Sequence, residues 1–290
     1  MADKKKKVTT TVTTTVTEET INVPTNEKTQ IICILDRSGS MSSIINDSIG
    51  GFNTFLKQQK ELKDEATITV ALFDDKYDLL YDNIDVKKAD ELTNKVWYPR
   101  GTTALYDAIG KTINAVKATH ARLGNEKPAK VLVCIVTDGY ENASKEYKIE
   151  NIKSLIKQCE NDDWNFLYLA ANQDAFAVGS SFGVSRGNTI NYVASADGVF
   201  NMSSTLNASA VSYRSMSTSD ANFKKMSKSL IDDDKKDSID LTNTGNAGSV
   251  NLGSANGING SNINFTAGNP NIIVTNTKTV TEDKDVPVGK

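Results

Sequence analysis

Apolar residues along this chain fall into two recurring patterns, and their alternation defines its middle part. Ile31-Ile32-Cys33-Ile34-Leu35, Val131–Val136 and Trp164–Ala171 are continuous apolar runs of strand length. Such runs mark strands buried on both faces of a parallel sheet. Between them, apolar positions recur at helical spacing. Ile45, Ile49, Phe52 and Leu56 predict a helix over about 43–62, and Leu105, Ile109, Thr112, Ile113 and Val116 one starting near Ala104. Ile149, Ile152, Leu155, Ile156 and Cys159 predict a third, and Asp174–Phe182 a short fourth. Gly50-Gly51 is expected to let the first helix pack closely on the sheet. Thr67–Phe73 and Tyr77–Val86 alternate around an Asp74-Asp75-Lys76 turn, which predicts an antiparallel hairpin. Together these elements predict an α/β fold: a doubly wound, mostly parallel sheet with helices on both faces and one antiparallel edge hairpin.

Composition sets off the ends. Residues 1–28 are rich in Lys, Thr and Val and include Val8-Thr-Thr-Thr-Val12-Thr-Thr-Thr-Val16. This segment has too little apolar surface to fold alone, but β-branched residues suit a strand if a sheet edge receives them. Residues 29–231 form the α/β domain, with 194–230 read as helical. Residues 232–290 are an Asn/Gly/Thr-rich tail, with nine Asn and six Gly in 242–271. Apolar pairs spaced by two, Val250/Leu252 and Ile263/Phe265, allow short strands there, and Ile272–Val286 returns to the Thr/Val-rich composition of the start.

A net charge of −3 gives no footprint for nucleic acid or an anionic membrane. No apolar run approaches the roughly 20 residues of a membrane span, and the start lacks the apolar region of a classical signal peptide. The expected location is therefore cytoplasmic, without secretion through a classical signal peptide. Cys33, Cys134 and Cys159 lie in apolar strand-like runs or on a helix stripe, without metal-thiolate spacing, and are read as small buried hydrophobes.

The candidate chemistry lies where the first apolar run ends. Asp36-Arg37-Ser38-Gly39-Ser40 places a carboxylate and two hydroxyls at i, i+2 and i+4, with Gly39 expected to permit the turn. An all-oxygen set suits a hard divalent cation. Alone, the segment reads equally well as a helix cap with turn residues. Two further segments change that balance: Gly101-Thr102-Thr103 at a helix entry and Thr137-Asp138-Gly139 at a strand end. Ligands of such sheets bind beyond the carboxyl ends of the strands, which puts Asp36 and Asp138 on one rim. Asp107 reads as a first-turn helix-dipole residue and Glu141 as a solvated loop residue. No Ser/His or Cys/His pair accompanies the site, His120 is the only histidine, and too few carboxylates are present for a two-metal hydrolase. The expectation is a protein that is not an enzyme.

The three segments, in order and separation, resemble the metal-ion-dependent adhesion site (MIDAS) of von Willebrand factor A (vWA) domains. The resemblance covers about residues 30–182. Gly101-x-Thr103-Ala104-Leu105-Tyr106-Asp107-Ala108-Ile109 is similar to bacterial and phage members more than to animal adhesion receptors. The resemblance implies metal ligation by Ser38, Ser40 and Thr103 hydroxyls, with Asp36 and Asp138 bound directly or through water. It implies Mg²⁺, or Mn²⁺ or Ca²⁺, as the ion, and a protein partner that completes the shell with an Asp or Glu carboxylate. The alternative expectation is a phage virion or assembly protein whose terminal extensions mediate self-association.

Overall fold

The computed structural model describes residues 27–219 together with five strand segments, 6–17, 239–240, 249–250, 263–264 and 275–286. In chain order the elements are β1 (Lys6–Thr17), β2 (Thr29–Asp36), α1 (Ile45–Glu61), β3 (Ala66–Phe73), β4 (Tyr77–Asp85), α2 (Leu105–Leu123), β5 (Lys130–Thr137) and α3 (Ile149–Asn161). They continue as β6 (Trp164–Ala171), α4 (Ala175–Ser181), β7 (Thr189–Tyr192), α5 (Ala196–Ser215), β8 (Ile239–Asp240), β9 (Ser249–Val250), β10 (Ile263–Asn264) and β11 (Thr275–Val286). The chain divides into two compact units, 22–245 and the paired ends 1–21 with 246–290.

The larger unit is built on a seven-stranded sheet of order β4-β3-β2-β5-β6-β7-β8. Every neighbouring pair is parallel except β3–β4, the antiparallel edge hairpin. The runs read as two-sided strands are buried throughout: β2, β5 and β6 expose no residue on either face, and neither does β3, whose sequence reads as alternating. One face meets α2, α3 and α4 through Leu105, Ile109, Ile113, Ile152, Ile156 and Ala175, which pack on Ile32, Ile34, Val133, Ile135 and Phe166. On the other face α1 and α5 pack on each other. A Cβ on Gly51 would lie 2.2 Å from Ser203 Oγ. The glycine pair thus serves a helix–helix approach at Gly51, and Gly50 meets nothing within 4 Å, rather than both serving close packing on the sheet. At the far end of α5 the buried Arg214 guanidinium donates to Gln59 O and Oε1 and to Asp64 O, and the buried Lys130 ammonium donates to Arg214 O and Met216 O. Buried charges satisfied in this way fix the helix against α1 and β5.

Between Phe182 and residue 194, where no element was expected, the chain contributes β7, a four-residue strand paired with β6. The helix read over 194–230 is α5, ending at Ser215, and residues 220–230 lie outside the described residues. All three cysteines are buried and free, and Cys33 and Cys134 face each other across β2 and β5. Among the described residues no helix is long and apolar enough to cross a membrane.

In the smaller unit β1 and β11 form a two-stranded antiparallel ribbon, in register from Lys6↔Val286 to Thr17↔Thr275. β9 and β10 pair antiparallel where short strands were expected.

Candidate metal centre

Sheet order decides where this chain can hold a ligand. The succession of strands reverses between β2 and β5, the point at which crossovers leave to opposite faces and a crevice opens beyond the carboxyl ends. Asp36 is the last residue of β2 and Asp138 follows the last residue of β5. Thr103 precedes α2, so a helix N-terminus faces the same crevice.

The five candidate residues come together there. Ser40 Oγ donates to Asp138 Oδ1 at 2.6 Å and lies 3.0 Å from Ser38 Oγ. Asp36 Oδ1 accepts the Ser38 N–H and Oδ2 accepts the Thr137 hydroxyl, both at 2.6 Å. A Cβ on Gly139 would lie 3.1 Å from Ser40 Oγ, 3.3 Å from Thr103 Oγ1 and 3.8 Å from Ser38 Oγ. Three hydroxyls from two loops therefore surround one point. Thr103 is buried whereas Thr102 is exposed, and it is Thr103 that reaches this point. Asp36, Ser38, Thr103 and Asp138 are buried and Ser40 is exposed, so the cluster opens to solvent on the Ser40 side.

Burial sets the electrostatics of the two carboxyls. Burial raises the Asp36 carboxyl from its ordinary 3.8 to about 6, against the hydrogen bonds from Thr137 and Ser38, and the neighbouring Asp138 charge adds to the rise. Burial likewise raises Asp138, against its bond from Ser40. Asp138 Oδ2 is buried without a hydrogen-bond partner. A buried carboxylate oxygen with no donor is costly unless a cation or proton meets it. The donor set, two carboxylates and three hydroxyls, fits a hard divalent ion. Among the described residues no three His, Cys, Asp or Glu side chains gather as a metal cluster, so hydroxyls supply most of this set.

Residues that the sequence reading passed over hold these loops in place. Arg37, buried, bonds Asp74 at 3.1 Å and Asp78 at 2.5 Å, and Arg100 bonds the same Asp74. Backbone bonds from Arg100 N to Arg37 O and from Gly39 N to Gly101 O tie the Asp36 loop to the Thr103 loop. Gly101, not Gly39, is the rim glycine at positive φ, 65°. On the other side Asn142 Oδ1 accepts the Thr103 N–H, and Asn142 N and Ala143 N donate to Thr103 O. Glu141 is not a solvated loop residue: its carboxylate accepts from Tyr106 N, Ala143 N, Ser144 N and Ser144 Oγ. Asp107 stands in the first turn of α2 as expected, and it also accepts from Lys145, Glu146 and Tyr147 N–H groups, so it anchors the loop after Asp138 as well. A carboxylate three residues from Asp138 and one in a helix's first turn are the only signals these two give in the sequence. His120 sits away from the site, against Gln30 and Trp164 in the core.

Gly139→Ala probes the convergence of hydroxyls directly. Gly139 is not at positive φ, so the fold should survive, while the new methyl occupies the space between Ser40 and Thr103. The expected result is an unchanged circular dichroism spectrum with Mg²⁺ affinity at least ~10-fold weaker by calorimetry. Unchanged affinity would mean that these hydroxyls share no ion.

No protein-family model and no curated protein matches the sequence. Among solved structures the chain is similar to proximal thread matrix protein 1 from the mussel byssus, with a zinc-occupied MIDAS motif, at 15% identity and TM-score 0.45 over 65% of this chain and 47% of that one. It is similar to manganese-loaded TRAP protein of Plasmodium vivax at 20% identity and TM-score 0.41, over 56% of this chain and 61% of that one. It is also similar to the vWF domain of the type V pili tip protein Mfa5 from Porphyromonas gingivalis at 9% identity and TM-score 0.44, over 63% of this chain and 96% of that one. The chain spans about half the length of the mussel thread chains it matches. The mostly parallel sheet, its one antiparallel edge and the position of its three rim loops make this a vWA-like α/β fold.

Proposed function

We propose that this protein binds another protein through a divalent cation held by Asp36, Ser38, Ser40, Thr103 and Asp138, with an Asp or Glu of the partner as the remaining ligand. The observation that carries the reading is the convergence of three hydroxyls on one point beside a buried carboxylate oxygen that no donor satisfies. Mg²⁺ is the preferred ion, since all donors are hard oxygens, with Mn²⁺ or Ca²⁺ as substitutes. Asp36, already engaged by Ser38 and Thr137, is suited to orient the shell or to bind through water. Ser38, Ser40, Thr103 and Asp138 are suited to direct contact. The ion would supply Lewis acidity toward an incoming carboxylate. Two site carboxylates balance its charge without adding excess negative charge to repel a third.

The surface around the crevice supports a protein partner. Tyr98 and Tyr140 are 42% and 56% exposed, in the loops that carry Thr103 and Asp138. The Arg100 guanidinium lies 5.3 Å from the Tyr98 ring centre. Val193, also exposed, follows β7 at the same end of the sheet. Exposed Tyr and partly exposed Arg side chains around a deep polar site are the usual anchors of a protein interface.

Pull-down in Mg²⁺ buffer, repeated after chelation and with Asp36→Ala, tests the reading. A partner should be retained by the wild type with Mg²⁺ and lost in both other arms. Retention through chelation and through Asp36→Ala would overturn the metal bridge.

A further inference from the structure

Among the described residues β1 and β11 make up a two-stranded sheet, in which each strand is paired on one side only. A two-stranded ribbon is marginal in water, and an edge of unpaired N–H and C=O groups is a template for a further strand. The sequence of β1 says which strand fits. Val8-Thr-Thr-Thr-Val12-Thr-Thr-Thr-Val16 reads the same in both directions about Val12. The segment is flanked by Lys4–Lys7 on one side and Glu18-Glu19 on the other.

We infer that β1 pairs antiparallel with β1 of a second copy of this chain, on a two-fold axis through Val12, giving a four-stranded sheet β11-β1-β1-β11. In that register Val12 stands opposite Val12, Val8 opposite Val16, and threonine opposite threonine at every position between. A two-fold interface requires this self-complementarity of sequence. Thr–Thr and β-branched cross-strand pairs each favour the pairing. The strand β11 offers less: its sequence is not palindromic, and Glu282, Asp283 and Asp285 gather at one end. Pairing of β1 with β11 of another copy would be open-ended and would build fibres rather than a closed dimer.

Light scattering of the full chain should show twice the mass of one chain, with and without chelator. On oxidation Val12→Cys should form a disulfide-linked dimer. Val8→Cys and Val16→Cys should each stay unlinked alone and link to each other when mixed. The native cysteines are buried and should not contribute. A monomer in solution, open-ended assembly, loss of the dimer on chelation, or equal cross-linking at positions 8 and 12 would overturn the inference.

Discussion

Arg37→Ala should destabilise the protein by about 3 kcal/mol and weaken Mg²⁺ binding about tenfold. Arg37 is 2% exposed and divides its guanidinium between Asp74, which is fully buried, and Asp78, which is half exposed. Removing one partner of a buried ion pair leaves a desolvated charge behind, and costs more than the pair itself contributes. Arg100 and the Lys76 N–H remain on Asp74 after the change, which keeps the cost at the lower end of the usual range of about 3–5 kcal/mol. Asp78→Asn removes only the exposed arm and should cost no more than about 1 kcal/mol. Arg37→Lys should fall between, because a single ammonium cannot fork across two carboxylates. The effect on the metal follows from position. Arg37 lies between Asp36 and Ser38, and its carbonyl holds Arg100 N, so loosening it frees both the Asp36 and the Thr103 loops. Urea denaturation without metal checks the first effect, as a lower midpoint at unchanged slope. Calorimetric titration with Mg²⁺ checks the second. Wild-type stability in Arg37→Ala would mean that the buried pair contributes nothing net.

The sheet was legible because its central strands are buried on both faces and so appear as unbroken apolar runs, and the helices because their buried stripes recur at helical spacing. Trp164–Ala171 matches β6 residue for residue. That five oxygen-bearing residues meet on one rim was legible because their segments stand at strand ends and a helix entry, which sheet topology brings together. Less legible was whatever depends on partners distant in sequence. Four residues, Thr189–Tyr192, carry too short a pattern to announce β7, which exists because β6 offers an edge. Asp74 reads as a turn residue, and only the fold brings Arg37 and Arg100 onto it. Glu141 and Asp107 are separated by thirty-four positions, yet both fasten the loop after Asp138 to the start of α2. The likeness in composition of the two ends was visible, but not their pairing with each other: a Thr/Val-rich strand shows its preference for a sheet without showing which edge it meets.

Mg²⁺ should raise the melting temperature of the wild type at pH 7.5 by ~5–10 °C at a hundredfold excess over Kd, and Asp138→Asn should abolish the rise. Such an excess contributes about 2.7 kcal/mol, and each kcal/mol moves the midpoint of a domain this size by ~2–4 °C. The pH dependence has a definite sign. Burial raises Asp36 from 3.8 to about 6, so without metal this group favours the fold below pH 3.8 and that contribution is lost as pH rises through 6. The loss is ~3 kcal/mol for a carboxylate this deeply buried. The metal-free protein should therefore gain stability on acidification from pH 7 to pH 5, as far as Asp36 governs it. Metal binding runs the other way. It requires the ionised carboxylate, so below pH 6 the proton competes and affinity should fall about tenfold per pH unit. Asp138, raised by burial in the same direction, steepens the fall. The Mg²⁺-induced rise should thus shrink between pH 7.5 and pH 5. In Asp138→Asn the buried charge and its repulsion on Asp36 are both removed, so the metal-free variant should melt no lower than the metal-free wild type. Thermal scans of both proteins at the two pH values, with Mg²⁺ and with chelator, separate the terms. A full Mg²⁺ effect in Asp138→Asn, or one of equal size at pH 5 and 7.5, would place the ion away from these carboxylates.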